Sequence, residues 1–162
     1  MAGGVAIAPA QVPPEREARL NTNGVSAPRA LLLAVQTPDQ TPQSFTDSIH
    51  ELRDLAASVG CQVVGEMFQI RAKIDPGTFI GSGKLEEARA EVLTCGADLV
   101  IFDNNLSPSQ GERVEKALKV MVMDRTQLIL EIFRRNARTH QARLQVELAQ
   151  LEYMLPRLVG MW

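Results

Sequence analysis

Histidine, cysteine and aromatic residues are all scarce in this chain, which has two His, two Cys, five Phe, one Tyr and one Trp among 162 residues. Cys61 and Cys95 lie far apart with no CxxC, and the only histidines are His50 and His140. That leaves no zinc-ligand spacing and no disulfide framework, so the cysteines read as small apolar side chains of a reducing compartment. Neither histidine has a nucleophile or acid near it in sequence that would complete a catalytic triad. No apolar run approaches the roughly 18 residues that a transmembrane helix needs. The N-terminus lacks both the basic flank and the apolar core of a signal peptide, so a cytoplasmic protein is expected. Excess charge is missing too: 17 basic residues face 19 acidic ones, a net of −2. This balance argues against a chain that grips nucleic acid with its whole surface, but not against a local basic face.

What is present is an ordinary globular composition, 45% hydrophobic and 22% charged. Residues 1–28 carry four of the nine prolines with scattered Gly and Asn. They read as a disordered leader, because such a segment cannot bury enough apolar surface to offset its ordering entropy. The apolar run at 29–36 then fits a strand buried on both faces. A helix over 44–58 follows, with Phe45, Ile49, Leu52, Leu55 and Ala56 on one stripe and Gly60 at its end. Further strands are expected at 61–70 (irregular at Gly65), 98–102 and 120–123, with a helix at 84–94 closed by Gly96. Ser107, Pro108 and Gln110 form a helix start in which Ser107 caps and Gln110 reaches back; Asp124 and Gln127 repeat that logic. Strands alternating with helices give an α/β fold over 29–124: a small, mostly parallel sheet flanked by helices.

From Arg125 no strand signal appears. Residues 125–162 read as a helical subdomain, with a break near Arg138 and Thr139 and a kink or end at Pro156. Leu144, Leu148, Leu151, Leu155 and Leu158 step by 4, 3, 4 and 3, the spacing of a coiled-coil seam. This tail holds six arginines and three glutamates, a net of +3 against −5 for the rest. Arginine is the side chain best suited to phosphate forks and base stacking, so the asymmetry marks an RNA-facing surface, unless it is only a solvated helix face.

The Gly-rich turn at 77–85 is not a Walker loop, since Thr78 stands where a glycine is needed and Leu85 follows Lys84. It is not a dinucleotide fingerprint either, because Glu86 occupies the third glycine position. Gly81, Gly83 and Lys84 could hold an anion at a helix start, and Asp103 and Asp124 follow strands at the sheet's carboxyl end. Together they define an alternative, a small nucleotide-binding α/β protein. Each also has a local explanation as a cap or turn former.

Several segments resemble the N-terminal region of HflX-type GTPases: 79–84 (FIGSGK), 101–110 (IFDNNLSPSQ), 124–126 (DRT), 137–139 (ART), 144–151 (LQVELAQL) and 155–158 (LPRL). The resemblance covers 29–162. It implies a parallel α/β subdomain followed by two long antiparallel helices, of which the C-terminal helix here would be the first half of the hairpin. It implies binding to the large ribosomal subunit and its rRNA, with Arg134, Arg135, Arg138 and Arg143 facing RNA, and ribosome splitting by the full-length family. GTP and Mg2+ are expected only in a GTPase domain beyond these residues, and no cofactor within them. The chain then reads as truncated before that domain. Its leucine seam would pack on a returning helix or, failing that, drive self-association.

Overall fold

A computed structural model describes residues 27–159, so most of the expected leader and the last three residues lie outside the described residues. The chain alternates β1 (Arg29–Gln36), α1 (Pro42–Ser58), β2 (Gln62–Ile70), α2 (Ser82–Cys95), β3 (Leu99–Phe102), α3 (Pro108–Leu118), β4 (Met121–Asp124), α4 (Arg125–Asn136) and α5 (His140–Val159). The four strands form one sheet in the order β2-β1-β3-β4, and every pair is parallel. Strand β1 is therefore central, which explains its continuous apolar run: all six residues from Ala30 to Val35 are buried. Alternate residues feed opposite layers. Leu31, Leu33 and Val35 pack with Ala88 and Val92 of α2 and Val114 and Leu118 of α3. Ala30 and Leu32 pack with Leu52 and Ala56 of α1 and Leu128 of α4. Each fully buried leucine is worth about 1.5–3 kcal/mol, so this sandwich supplies most of the driving force.

The expected irregularity in β2 is a register shift: Ala30 pairs with Val63, but Leu31 pairs with Gly65. A Cβ on Gly65 would come within 3.0 Å of the Leu31 side chain, so the bulge and the glycine belong together. Gly96 closes α2 in the left-handed conformation at φ 64°. Both capping boxes form, at Ser107–Gln110 and at Asp124–Gln127. Helix α1 begins two residues earlier than expected, because Thr41 caps it and Pro42 takes its first turn, the same Thr/Ser–Pro device as at Ser107.

The helical break falls at residues 137–139, as expected. Pro156, expected to kink or end the last helix, lies inside α5, which runs on to Val159. The proline removes the backbone donor that would serve the Glu152 carbonyl, and neighbouring Arg157 secures the turn by other contacts. Its guanidinium donates to the Tyr153 carbonyl at 2.8 Å and the Leu106 carbonyl at 2.7 Å, tying this last turn to the sheet subdomain.

Strand β3 stops at Phe102, opposite Leu33 and three residues short of the end of β1, and this exposes a local problem with a local solution. In a parallel strand a residue's N–H and C=O point to the same side. Those of fully buried Val35 face the gap, and Asn104 fills it: its Oδ1 accepts from Val35 N at 2.9 Å and its Nδ2 donates to Val35 O at 3.0 Å. Asn104→Ala should leave both groups without partners and lower unfolding free energy by about 2 kcal/mol, read as a shift of the urea midpoint at unchanged slope.

Candidate nucleic-acid interface

In doubly wound sheets ligands bind beyond the carboxyl ends of the strands where the strand order reverses. Here that point lies between β1 and β3, and Asn104 spans it. The residues that could make a nucleotide site are also spread apart. Gly81 caps α2, and its N–H donates to Gln69 of β2, at the far edge of the sheet from β4. Three strand spacings amount to about 14 Å. Lys84 pairs with Glu87 one turn further on, at 3.2 Å. A Cβ on Gly83 would meet nothing within 4 Å, and nothing in the structure explains a glycine there.

Both aspartates are engaged by the protein's own donors. Asp103, 3% exposed in its side chain, accepts from Ser48 Oγ at 2.7 Å and pairs with Arg125 at 2.5 Å; Arg125 also reaches Glu51 at 2.8 Å. Asp124, 1% exposed, accepts from the backbone N–H of Leu106 at 3.2 Å and of Gln127 at 3.0 Å. Tyr153 donates its hydroxyl to the same carboxylate, and Arg157 lies 3.4 Å away. The Arg157 guanidinium also stacks on the Tyr153 ring, 3.6 Å from its centroid. Burial and the Asp124 carboxylate push the Tyr153 hydroxyl well above the usual tyrosine range. Among the described residues, no group of three His, Cys, Asp or Glu side chains could hold a metal ion. No described helix is long and apolar enough to cross a membrane. Cys61 and Cys95 are free and half-buried, and burial pushes the Cys61 thiol up.

Helices α4 and α5 form an antiparallel pair, since Tyr153 and Arg157 near the end of α5 return to Asp124 at the start of α4. Four sequence-nominated arginines sit at the far end of this pair: Arg134 and Arg135 on the last turn of α4, Arg138 in the connection and Arg143 in the first turns of α5. All four are exposed. The other two tail arginines, Arg125 and Arg157, are the internal ones, with side chains 19% and 18% exposed. The basic tail thus divides into two structural and four outward cations. Arg134, Arg135 and Arg143 line one groove between the helices, with a cavity volume of about 520 Å3.

The leucine seam lies on the opposite side of α5. Ala142, Val146, Ala149 and Tyr153 are half-buried on the side that meets the body, whereas Leu144, Leu148, Leu151 and Leu155 are 51–58% exposed. At 3.6 residues per turn the two sets fall about half a turn apart. The side chain of Leu158 lies outside the described residues. Sequence reasoning missed the Asp124–Tyr153–Arg157 cluster; the single tyrosine, spaced four residues before an arginine, was the only available signal.

Residues 46–134 match the family described as GTP-binding GTPase N-terminal, and 136–162 match the GTP-binding GTPase Middle Region. GTPase HflX of Flavobacterium psychrophilum is 38% identical over 143 residues, covering 88% of this chain and 35% of that protein. GTPase HflX of Caldanaerobacter subterraneus is 43% identical over 133 residues (82% and 30%), and that of Escherichia coli is 40% identical over 122 residues (75% and 29%). This chain therefore spans about a third of the length of the curated relatives it matches. The fold is shared with a GTP-binding protein from Sulfolobus solfataricus in complex with GDP, at a TM-score of 0.63 and 22% identity over 82% of this chain and 39% of that one. With the N-terminal model alone matching more than half of its length, the chain belongs to the HflX-type GTPase family, and its residues correspond to that family's N-terminal and middle regions.

Proposed function

We propose that these residues form the part of an HflX-like GTPase that associates with the large ribosomal subunit, working in the cytoplasm where ribosomes are. The observation that carries this is the sorting of the tail arginines. Arg134, Arg135, Arg138 and Arg143 are gathered, exposed, at the free end of a helical pair, while Arg125 and Arg157 hold that pair to the α/β subdomain. A rigid arm tipped with arginine suits contact with rRNA phosphates and bases. The α/β subdomain has its ligand crevice spanned by Asn104 and both candidate aspartates paired, which supports a docking role over a catalytic one.

GTP hydrolysis with Mg2+, and ribosome splitting driven by it, are proposed for the full-length protein. The 162 residues contain no GxxxxGK[ST] loop to cradle a triphosphate. Co-sedimentation with purified 50S particles tests the proposal. Four phosphate contacts predict that affinity falls about 100-fold between 50 and 200 mM salt, and joint replacement of the four arginines by glutamine should flatten that dependence. An absence of salt-sensitive co-pelleting, by this chain and by the full-length protein containing it, overturns the proposal.

A further inference from the structure

Three arginines from two helices line the α4–α5 groove, and the geometry shows what holds them. Arg134 donates Nε to Glu131 Oε2 at 2.9 Å and Nη2 to Glu131 Oε1 at 2.6 Å, so the Nε edge of its guanidinium is occupied. Arg135 donates Nε to the same Oε1 at 3.1 Å. Arg143, across the groove, uses Nε on the Ala137 carbonyl at 3.3 Å and thereby braces the turn between the helices. Val146, Glu147 and Gln150 line the same groove, and Glu147 takes part in no ion pair among the described residues. One carboxylate thus offsets one of the two charges of Arg134 and Arg135, and Arg143 has no ion-pair partner among the described residues, in a groove where field lines concentrate. The two arginines in turn hold the Glu131 carboxyl below the usual carboxylate range.

We propose that this groove seats one phosphodiester of an RNA backbone, and that Glu131 is a built-in competitor whose carboxylate occupies the Nε edge of Arg134 and the Nε of Arg135 until the phosphate displaces it. The inference rests on the ribosome-binding reading and deepens it by naming a site and its regulation. An incoming carboxylate would only repeat what Glu131 already offers. A phosphodiester brings its charge on a tetrahedral centre, so oxygens can face Arg134 and Arg135 on one wall and Arg143 on the other. A continuous backbone also carries the next phosphate past exposed Arg138. An acidic peptide gains neither advantage. Exchange of one anion for another explains how three clustered cations stay compatible with folding before RNA arrives.

The test uses the whole chain and a fluorescein-labelled twelve-nucleotide oligouridylate, followed by anisotropy at several salt concentrations. Glu131→Gln should bind RNA three- to tenfold more tightly, because the amide can still accept hydrogen bonds but no longer competes as an anion. Arg143→Gln should bind several-fold more weakly and lose about 0.7 from the salt slope. Glu147→Gln makes the same net charge change on the same groove without freeing an arginine, and should shift affinity less than twofold. Circular dichroism on each variant confirms that the helices persist. The proposal is overturned if the wild type does not bind the oligonucleotide, if Glu131→Gln binds no better, if Glu147→Gln tightens binding equally, or if polyglutamate competes as well as RNA. Failure of 50S co-pelleting with these oligonucleotide results intact removes the ribosomal reading alone. Salt-sensitive 50S co-pelleting that Glu131→Gln leaves unchanged removes the groove alone.

Discussion

Asp124→Ala should lower the unfolding free energy by about 3–5 kcal/mol, the largest effect expected of any single polar substitution in the chain. The carboxylate is 1% exposed and serves four donors from three elements. Alanine would remove the N-cap of α4, worth about 1 kcal/mol by itself. It would also leave the Tyr153 hydroxyl without its acceptor and the largely buried Arg157 with its two carbonyl acceptors but no countercharge, and the loss of that countercharge is the costlier part. Asp124→Asn keeps the shape but only one acceptor oxygen, its Nδ2 being a donor set among donors, and should cost somewhat less than alanine. Urea titrations of the three proteins at pH 7 check both values. A drop below about 1 kcal/mol for alanine would mean that α5 is held by its apolar contacts alone.

The same cluster gives the fold an alkaline limit whose sign can be worked out. Tyr153 is held protonated because burial, and then the Asp124 carboxylate, raise its pKa. Its contribution is complete below the unfolded-state value near 10. Above that value the unfolded chain releases the proton while the folded chain keeps it, so stability falls as pH rises. Tyr153→Phe should be less stable at neutral pH, and the slope of stability between pH 10 and 11 should be shallower than in the wild type. A slope identical in the two proteins would place the hydroxyl outside the cluster.

The elements legible in the sequence are those specified within a few residues. Ser107 and Asp124 each meet a glutamine three positions on, and both boxes form. The buried run of β1 marks the central strand because it is covered on both faces. Gly96 ends α2 because no side chain resists the left-handed turn there. What stayed hidden depends on distant partners. Arg157 reaches Leu106 across 51 positions, and that contact lets α5 continue past Pro156, against the local rule. Asn104 reads as a turn former until the early end of β3 shows that Val35 needs it. The candidate site divides along the same line. The basic character of the tail was plain from composition, but nothing in the spacing of six arginines separates Arg125 and Arg157, turned inward, from the four at the tip. Lys84 at a helix start and Asp103 and Asp124 after strands read as parts of one ligand site, and only the strand order shows that Gly81 is held at one edge while Asp124 ends the strand at the other.

Self-association through α5 should govern the behaviour of the 162-residue chain at high concentration. Leu144, Leu148, Leu151 and Leu155 form a continuous stripe, 51–58% exposed, on the side of α5 turned away from the body. Half-burying each leucine recovers on the order of 1 kcal/mol, and two copies pairing through a coiled-coil seam bury eight of them. That gross gain of about 8 kcal/mol stands against an association cost of at least about 4, so a weak dimer with a dissociation constant near a millimolar is expected. Multi-angle light scattering should show mass rising with concentration over that range. Joint Leu148→Gln and Leu151→Gln replacement should hold the chain at monomer mass, and its thermal midpoint should be almost unchanged, because neither side chain packs on the fold. The HflX relationship adds a sharper control. If the stripe is the seat of a second, antiparallel helix, then a full-length relative in which that helix is present should be monomeric at the same concentrations. Persistent dimerisation of that longer protein, or a monomeric 162-residue chain at several millimolar, would each contradict the pairing of this stripe with a helix.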